Sequence, residues 1–322
     1  MTARSSLFLA ALVLASPLAA QTIWPAGGGA GMKTYAVRHV FRPGEKLLLI
    51  SKTDFESTFR SHNGAPGGSH RVRGHIEWQL TTAPADKGKA VLVRMRWLRV
   101  RTEFEGSGEK KTTDSSKPET MSPEERESLP VMLKAVFTAE VDEKGSVREV
   151  TIPDEVVAAA AREAKAEAPM DEARMDEDRI RKMFVAQIRQ LCESLTVYQP
   201  PGPVFVGQTW AAERKSPEGG TKTKAECKLL SVEQTPAGRV ATVAFKLRPD
   251  PDAAGQGPTQ KLEGQVRYNI DRQRFVSSKV QTSESSGNGS FEMKRSVSVE
   301  LRDLPAPTTR PAGGKEVRKD KP

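Results

Sequence analysis

Polar and apolar residues alternate with period two over most of the chain, which predicts strands with one buried face. Tyr35, Val37 and His39 lead toward Phe41, and Arg42-Pro43-Gly44-Glu45 reads as a turn. Strands are predicted over Lys46–Phe59, Val72–Leu80 and Lys89–Phe104, then over Lys134–Val141 and Val147–Ile152. In the third, Val91, Val93, Met95 and Trp97 share one parity, while Leu98, Val100 and Phe104 have the other. A bulge near Trp97 would return them to one face. Further strands are predicted over Thr209–Arg214, Lys222–Gln234, Arg239–Leu247, Leu262–Ile270, Phe275–Glu284 and Ser290–Leu301, with Asn288-Gly289 as a hairpin turn.

Two stretches change period. Ser122-Pro123-Glu124-Glu125 is a capping box for a short helix expected to end before Pro130. From Pro153 the pattern turns helical, with Asp154 as cap, Ala158–Ala161 favouring helix and Pro169 breaking it. A second helix starts near Asp176. Its Ile180, Met183, Phe184, Gln187, Ile188, Leu191 and Leu195 form one mainly apolar stripe, expected to pack on a sheet. Pro200-Pro201-Gly202-Pro203 ends the helical region, and Val204, Val206 and Trp210 are expected to open the next strand.

The fold class that follows is mainly β (α+β). Two related antiparallel β-sheet halves, forming a curved sheet, half-barrel or sandwich, flank an inserted helical segment. The boundaries are an N-terminal β half at 34–152, a helical insertion at 153–199 and a C-terminal β half at 200–304. Three matched turns suggest internal duplication: Gly44 with Gly207, the 86–89 turn with the 236–239 turn, and the 142–145 turn with the 271–273 turn.

Other residues set the compartment. Arg4, the apolar run Leu7–Ala15 and the small residues before Gln21 predict a signal peptide over 1–20, with no lipid anchor, since no cysteine stands near the cut. Residues 21–33 read as a flexible lead and 305–322 as a disordered tail. No later run is apolar enough to span a membrane. The expectation is an exported protein, periplasmic or secreted, and export excludes nucleic acid as a partner. The net charge of +9 and pI of about 9.5 turn attention to an anionic envelope surface. An oxidising compartment permits a disulfide between Cys192 and Cys227, with two buried free thiols as the alternative.

Phe41-Arg42-Pro43-Gly44-Glu45, Val141-Asp142 with Gly145, and Pro203-Val204-Phe205-Val206-Gly207-Gln208-Thr209-Trp210 resemble the exported bacterial proteins of domain-of-unknown-function family 6263. That family carries an acidic residue where Gln208 stands here. The resemblance implies export and a β-rich fold, and no activity.

Chemistry is sparse. There is no nucleophile elbow, phosphate-binding loop or His-Glu-x-x-His, so no catalytic residue and no cofactor is assigned. His62, His70 and His75 match no metal spacing. Asp171, Glu172, Asp176, Glu177 and Asp178 lie where a helix dipole favours acids. Arg71, Arg73, Arg94, Arg96, Arg99 and Arg101 fall on one face of two strands, a candidate anion-binding surface or a solvated outer face. Two functional classes lead: a non-enzymatic envelope binding or interaction module, and a carrier of an apolar or lipid-like small molecule. In the carrier, Trp97 would line an apolar groove and Trp97 or Trp210 would report a ligand. A hydrolase with an unrecognised site is the third.

Overall fold

Period-two alternation becomes one antiparallel, curved and unclosed sheet of thirteen strands. The computed structural model describes residues 21–22, 32–60, 67–85, 90–106, 108–167, 176–214, 223–248, 259–285 and 290–304. The expected signal peptide, most of the lead, His62, Pro169, Asp171, Glu172, Asn288-Gly289 and the tail lie outside these residues.

The strands are β1 (Gln21–Thr22), β2 (Lys46–Phe59), β3 (Ser69–Pro84), β4 (Val91–Gly106), β5 (Glu109–Asp114), β6 (Phe137–Val141) and β7 (Val147–Thr151). After the helices come β8 (Thr209–Arg214), β9 (Thr223–Thr235), β10 (Gly238–Arg248), β11 (Thr259–Asn269), β12 (Arg274–Ser285) and β13 (Phe291–Asp303). Their order across the sheet is β1-β8-β9-β10-β11-β12-β13-β2-β3-β4-β6-β7, with β5 also on β4. The halves are therefore two sequential meanders, β2-β3-β4-β6-β7 and β8-β9-β10-β11-β12-β13. They are sewn together by β13 against β2, whose register runs from Phe291↔Phe59 to Asp303↔Leu47. Gly44 and Gly207, matched in the sequence, both take left-handed backbone (φ 86 and 93) before their strands.

The bulge expected near Trp97 is present. Trp78 pairs Trp97 while Glu77 pairs Arg99, which leaves Leu98, expected on the apolar face with Val100 and Phe104, as the extra residue of the bulge, 38% exposed. Met95, Trp97, Val100 and Thr102 all stay buried as a result. Had the register not slipped, every residue past Trp97 would have changed face.

Three helices lie on this inner face: α1 (Pro123–Lys134), α2 (Asp154–Glu167) and α3 (Glu177–Ser194). The capping box forms as predicted, Glu125 N–H donating to Ser122 Oγ at 3.2 Å and Ser122 N–H to Glu125 Oε2 at 2.7 Å. Contrary to expectation, α1 runs through Pro130 to Lys134. Pro130 is exposed, whereas Leu129 and Met132 on either side of it are buried in the core. Burial of each apolar side chain is worth about 1.5–3 kcal/mol, which offsets the roughly 3 kcal/mol cost of an interior proline. Asp154 is the first residue of α2 rather than its cap, and it pairs with Arg181 at 2.7 Å. Asp176 caps α3 by accepting from Arg179 N–H at 2.7 Å. The α3 stripe buries Ile180, Phe184, Gln187, Ile188 and Leu191. Phe184 stacks on Phe137, with centroids 6.0 Å apart, and Phe137 meets Trp78 and Trp97. No helix among the described residues is long and apolar enough to cross a membrane.

Three further differences have local causes. The polar stretch after Gly106, where no strand is predicted, contains β5, because Arg99 holds Asp114 at 2.7 Å and so extends the β4 ladder. The strand predicted over Thr209–Arg214 forms with those bounds, but Val204 and Val206, expected to open it, stay outside it. Gly207 turns the chain, and Gln208 Oε1 accepts from Phe205 N–H at 3.1 Å, a bond that a carboxylate at 208 could equally accept. Val204 forms an isolated bridge with Tyr35 instead. Finally, Gln21 and Thr22, placed in the flexible lead, pair with Ala212 and Ala211 of β8.

Candidate functional site

The arginine face forms on the outer side of β3 and β4, where cross-strand pairing sets Arg71 opposite Glu105 and Arg73 opposite Glu103. It is largely neutralised. Arg71 pairs with Asp54 at 2.6 Å, and Arg73 lies 3.9 Å from Asp54 and 3.6 Å from Glu103. Arg99 reaches Asp114 at 2.7 Å and Arg101 reaches Glu103 at 2.5 Å. The Arg71 and Arg99 hydrogen bonds hold the carboxyls of Asp54 and Asp114 below the usual carboxylate range. Arg96 donates to Gln79 at 2.7 Å and has no described carboxylate partner. The face is therefore an ion-pair lattice more than an open cationic patch.

Trp97 and Trp210, candidates for a ligand-responsive surface, are each 5% exposed and belong to the core. Trp97 packs edge-on to Trp78 with centroids 5.3 Å apart. Cys192 and Cys227 are buried free thiols, so the disulfide is not formed. One sits on α3 and faces Met95, Sγ to Sδ 3.9 Å, while the other sits on β9 opposite Trp210 and Phe245. Burial pushes both thiols up to about 12, which keeps them protonated and unreactive. His75 faces Glu77 at 3.0 Å, and His70 stacks on Phe104. No cluster of metal-ligating side chains occurs among the described residues.

Along the strands, the inner face changes character. At the end near the helices its residues are fully enclosed: Leu47, Leu49, Trp78, Leu80, Val93, Met95 and Phe137 are all at 1% exposure or less. The helices pack on one another and meet the sheet mainly at β4, β6 and β7. On the C-terminal half, Tyr198 after α3 stacks on Phe245 with centroids 3.8 Å apart. Phe275 N–H donates to His39 Nδ1 at 3.1 Å, anchoring the segment that leads into β2. Burial, with Arg274 and Arg42 nearby, lowers His39 to about 3, so its ring stays neutral.

Toward the far end the same face is only half-buried. Phe55, Val72, Phe104, Leu262 and Met293 occupy inner positions there, as register with the enclosed residues shows. Among them stands Arg295, opposite Phe55 on β2 and Thr282 on β12. Its Nε and Nη2 are out of solvent and without a hydrogen-bond partner, and burial alone lowers its guanidinium to about 10. His70 Nδ1, farther along this end, is likewise buried and unpartnered. A groove of about 830 Å³ crosses the far ends of β10–β13, β2 and β3. Inner positions Leu247, Leu262 and Arg295 and outer positions Asp54, Arg71 and Lys294 all contribute to its lining. A second cleft, about 660 Å³, lies at the hinge between residues 36–38, the 143–146 turn and Pro200-Pro201-Gly202-Pro203.

Sequence reading missed Arg295, although the signal was present. Phe291, Met293, Arg295, Val297, Val299 and Leu301 share one parity, which places a single cation in an otherwise apolar series.

The model of a family of unknown function, DUF6263, matches residues 89–255. No curated protein matches the sequence. Among solved structures, a protein from Bacteroides fragilis assigned as exported, with a YmcC-like fold, aligns at 10% identity and TM-score 0.23, over 84% of this chain and 100% of that one. The translocator domain of the autotransporter NalP from Neisseria meningitidis aligns at 8% identity and TM-score 0.21, over 82% and 90%. A β-barrel-like protein of a domain of unknown function from Brucella abortus aligns at 9% identity and TM-score 0.20, over 84% and 100%.

Proposed function

The chain belongs to the family of unknown function DUF6263, and from that premise we propose that it is an exported, non-enzymatic binding protein that carries an apolar or lipid-like small molecule on the inner face of its sheet. The observation that supports this reading is the gradient along that face. The near end is filled by helices and aromatic rings, whereas Phe55, Val72, Leu262 and Met293 at the far end stay half-buried, on β2, β3, β11 and β13, which have no substantial packing against a described helix. A concave wall of apolar side chains with few polar groups is the usual make-up of a small-molecule site. Hydrolysis has little support. Among the described residues two buried hydroxyl–carboxylate pairs occur, Ser128 donating to Glu163 at 2.5 Å and Thr113 donating to Glu125 at 3.4 Å, and neither has a described histidine bonded to it.

The test is titration of the folded protein with N-phenyl-1-naphthylamine, a neutral apolar dye that brightens on leaving water. Saturable brightening is expected. Trp97 and Trp210 should change little, since both are enclosed in the core. Failure to bind the dye, together with organic extracts that release nothing from the purified protein, would remove the carrier reading.

A second reading, contact with an anionic envelope surface, draws on Arg94 and Arg96, both exposed and without a described carboxylate partner. Reversal of both to Glu should weaken binding to acidic vesicles at low salt. Binding indifferent to salt and to the substitutions would refute it.

A further inference from the structure

We propose that Arg295 is an anchor for the head group of an anionic amphiphile, a molecule with one carboxylate or phosphate and an apolar tail, bound at the far end of the inner face. This rests on the carrier reading and names its ligand class.

The argument starts from what is missing around the guanidinium. Nearly all buried polar groups in proteins find a hydrogen-bond partner, and a buried charge is normally paired. Arg295 has neither: no described residue accepts from Nε or Nη2, and desolvation alone accounts for its lowered proton affinity. Of the six arginines on β3 and β4, Arg71, Arg73, Arg99 and Arg101 each reach a carboxylate within 4 Å, and the other two, Arg94 and Arg96, are exposed. The outer face thus shows how this protein treats arginines whose role is structural.

The two orphaned donors are also a matched pair. Nε–H and one Nη–H point the same way along one edge of the guanidinium, and a carboxylate or phosphate takes them side by side through two oxygens. Water could serve each donor singly, but the surroundings are poor for water: Phe55 lies directly opposite on β2, with Met293 and Val297 two residues away on the same strand. Met293, Phe55, Val72 and Leu262 supply an apolar wall beside a fixed positive charge. Complementarity therefore demands a negative head and a hydrocarbon body, which excludes a free inorganic anion and a purely neutral hydrocarbon alike.

The test compares two probes on the ligand-stripped mature protein: 11-(dansylamino)undecanoic acid and its methyl ester. The parent should bind the acid at least about tenfold more tightly than the ester, the worth of one charge-assisted pair. Arg295→Met should abolish that preference while still binding the ester. Arg295→Lys, which keeps the charge and loses the side-on fork, should fall between them and serves if the methionine variant folds poorly. Equal affinity of the parent for acid and ester would overturn the anchor while leaving the carrier reading standing. Binding of neither probe would overturn both. Displacement of the acid by equimolar inorganic phosphate or acetate would refute the amphiphile in favour of a free anion.

Discussion

Removing the Arg295 charge should make the ligand-free protein more stable. Burial holds this guanidinium at about 10 against an ordinary 12.5. At about 1.4 kcal/mol for each pH unit, the charged form is disfavoured in the folded chain by about 3 kcal/mol. Part of the group still touches solvent, which reduces the expected gain for Arg295→Met to about 1–3 kcal/mol. The sign follows from linkage. For a base whose folded value is lowered, the penalty is complete at every pH below that value and fades as pH rises from about 10 toward the unfolded value. The gap between variant and parent should accordingly be flat from pH 6 to 9 and narrow above 10. Differential scanning calorimetry of extracted protein at pH 7 should show a midpoint raised by roughly 2–12 °C, at about 2–4 °C for each kcal/mol in a chain of this class. An anionic amphiphile should stabilise the parent more than the variant and so close the gap. A lower midpoint for Arg295→Met would show that the guanidinium is satisfied in the folded protein, and the reasoning would fail.

Phe184→Ala should cost about 3–5 kcal/mol, because the ring is 2% exposed and stacked on Phe137; an unchanged urea midpoint would refute that packing. Asp114→Asn should destabilise at pH 7 by about 1–3 kcal/mol. The Arg99 hydrogen bond keeps the Asp114 carboxyl well below its unfolded value, so the stability it contributes is complete above that value and lost as pH falls, and parent and variant should converge in acid. Gly145→Ala should lower the melting midpoint measurably, since φ is +82 and the new Cβ would stand 2.5 Å from Thr196 Cγ2; an equal midpoint would show that the turn can relax. Cys192 and Cys227, raised to about 12 by burial, should resist thiol reagents at pH 8 until unfolding, and rapid labelling of the folded protein would contradict their enclosure.

Most of the fold was legible because parity is a strong signal when one face of a sheet is enclosed. The slip near Trp97 could be inferred from the change of parity among the apolar residues of one strand, and the α3 stripe from 3.6-residue spacing alone. Other features depended on partners distant in sequence. Nothing local in Glu109–Asp114 marks a strand, because its order comes from Arg99 and from the ladder of β4. Pro130 reads as a helix stop unless the burial of Leu129 and Met132 is known. Composition also hid the candidate site. Six arginines in a row of strands drew attention, yet Asp54, Glu103 and Asp114 lie across from four of them. The single arginine on the apolar parity of β13 was easy to pass over among fifty basic residues.

The junction of the two meanders has a consequence for how the chain folds. Every hydrogen bond between β13 and β2 joins residues more than 230 positions apart, and among the described strands that junction is the ladder that joins the two meanders. Closing such a distant pairing is entropically slow, so topology of this kind folds late. A ribosome makes β13 after all the other strands, and until it docks, β2 and β12 each present an open edge ready to pair with a neighbouring chain. The protein is therefore most exposed to misassembly in the interval between release of its first meander and arrival of its last strand. An escorting chaperone would be of most use during that interval.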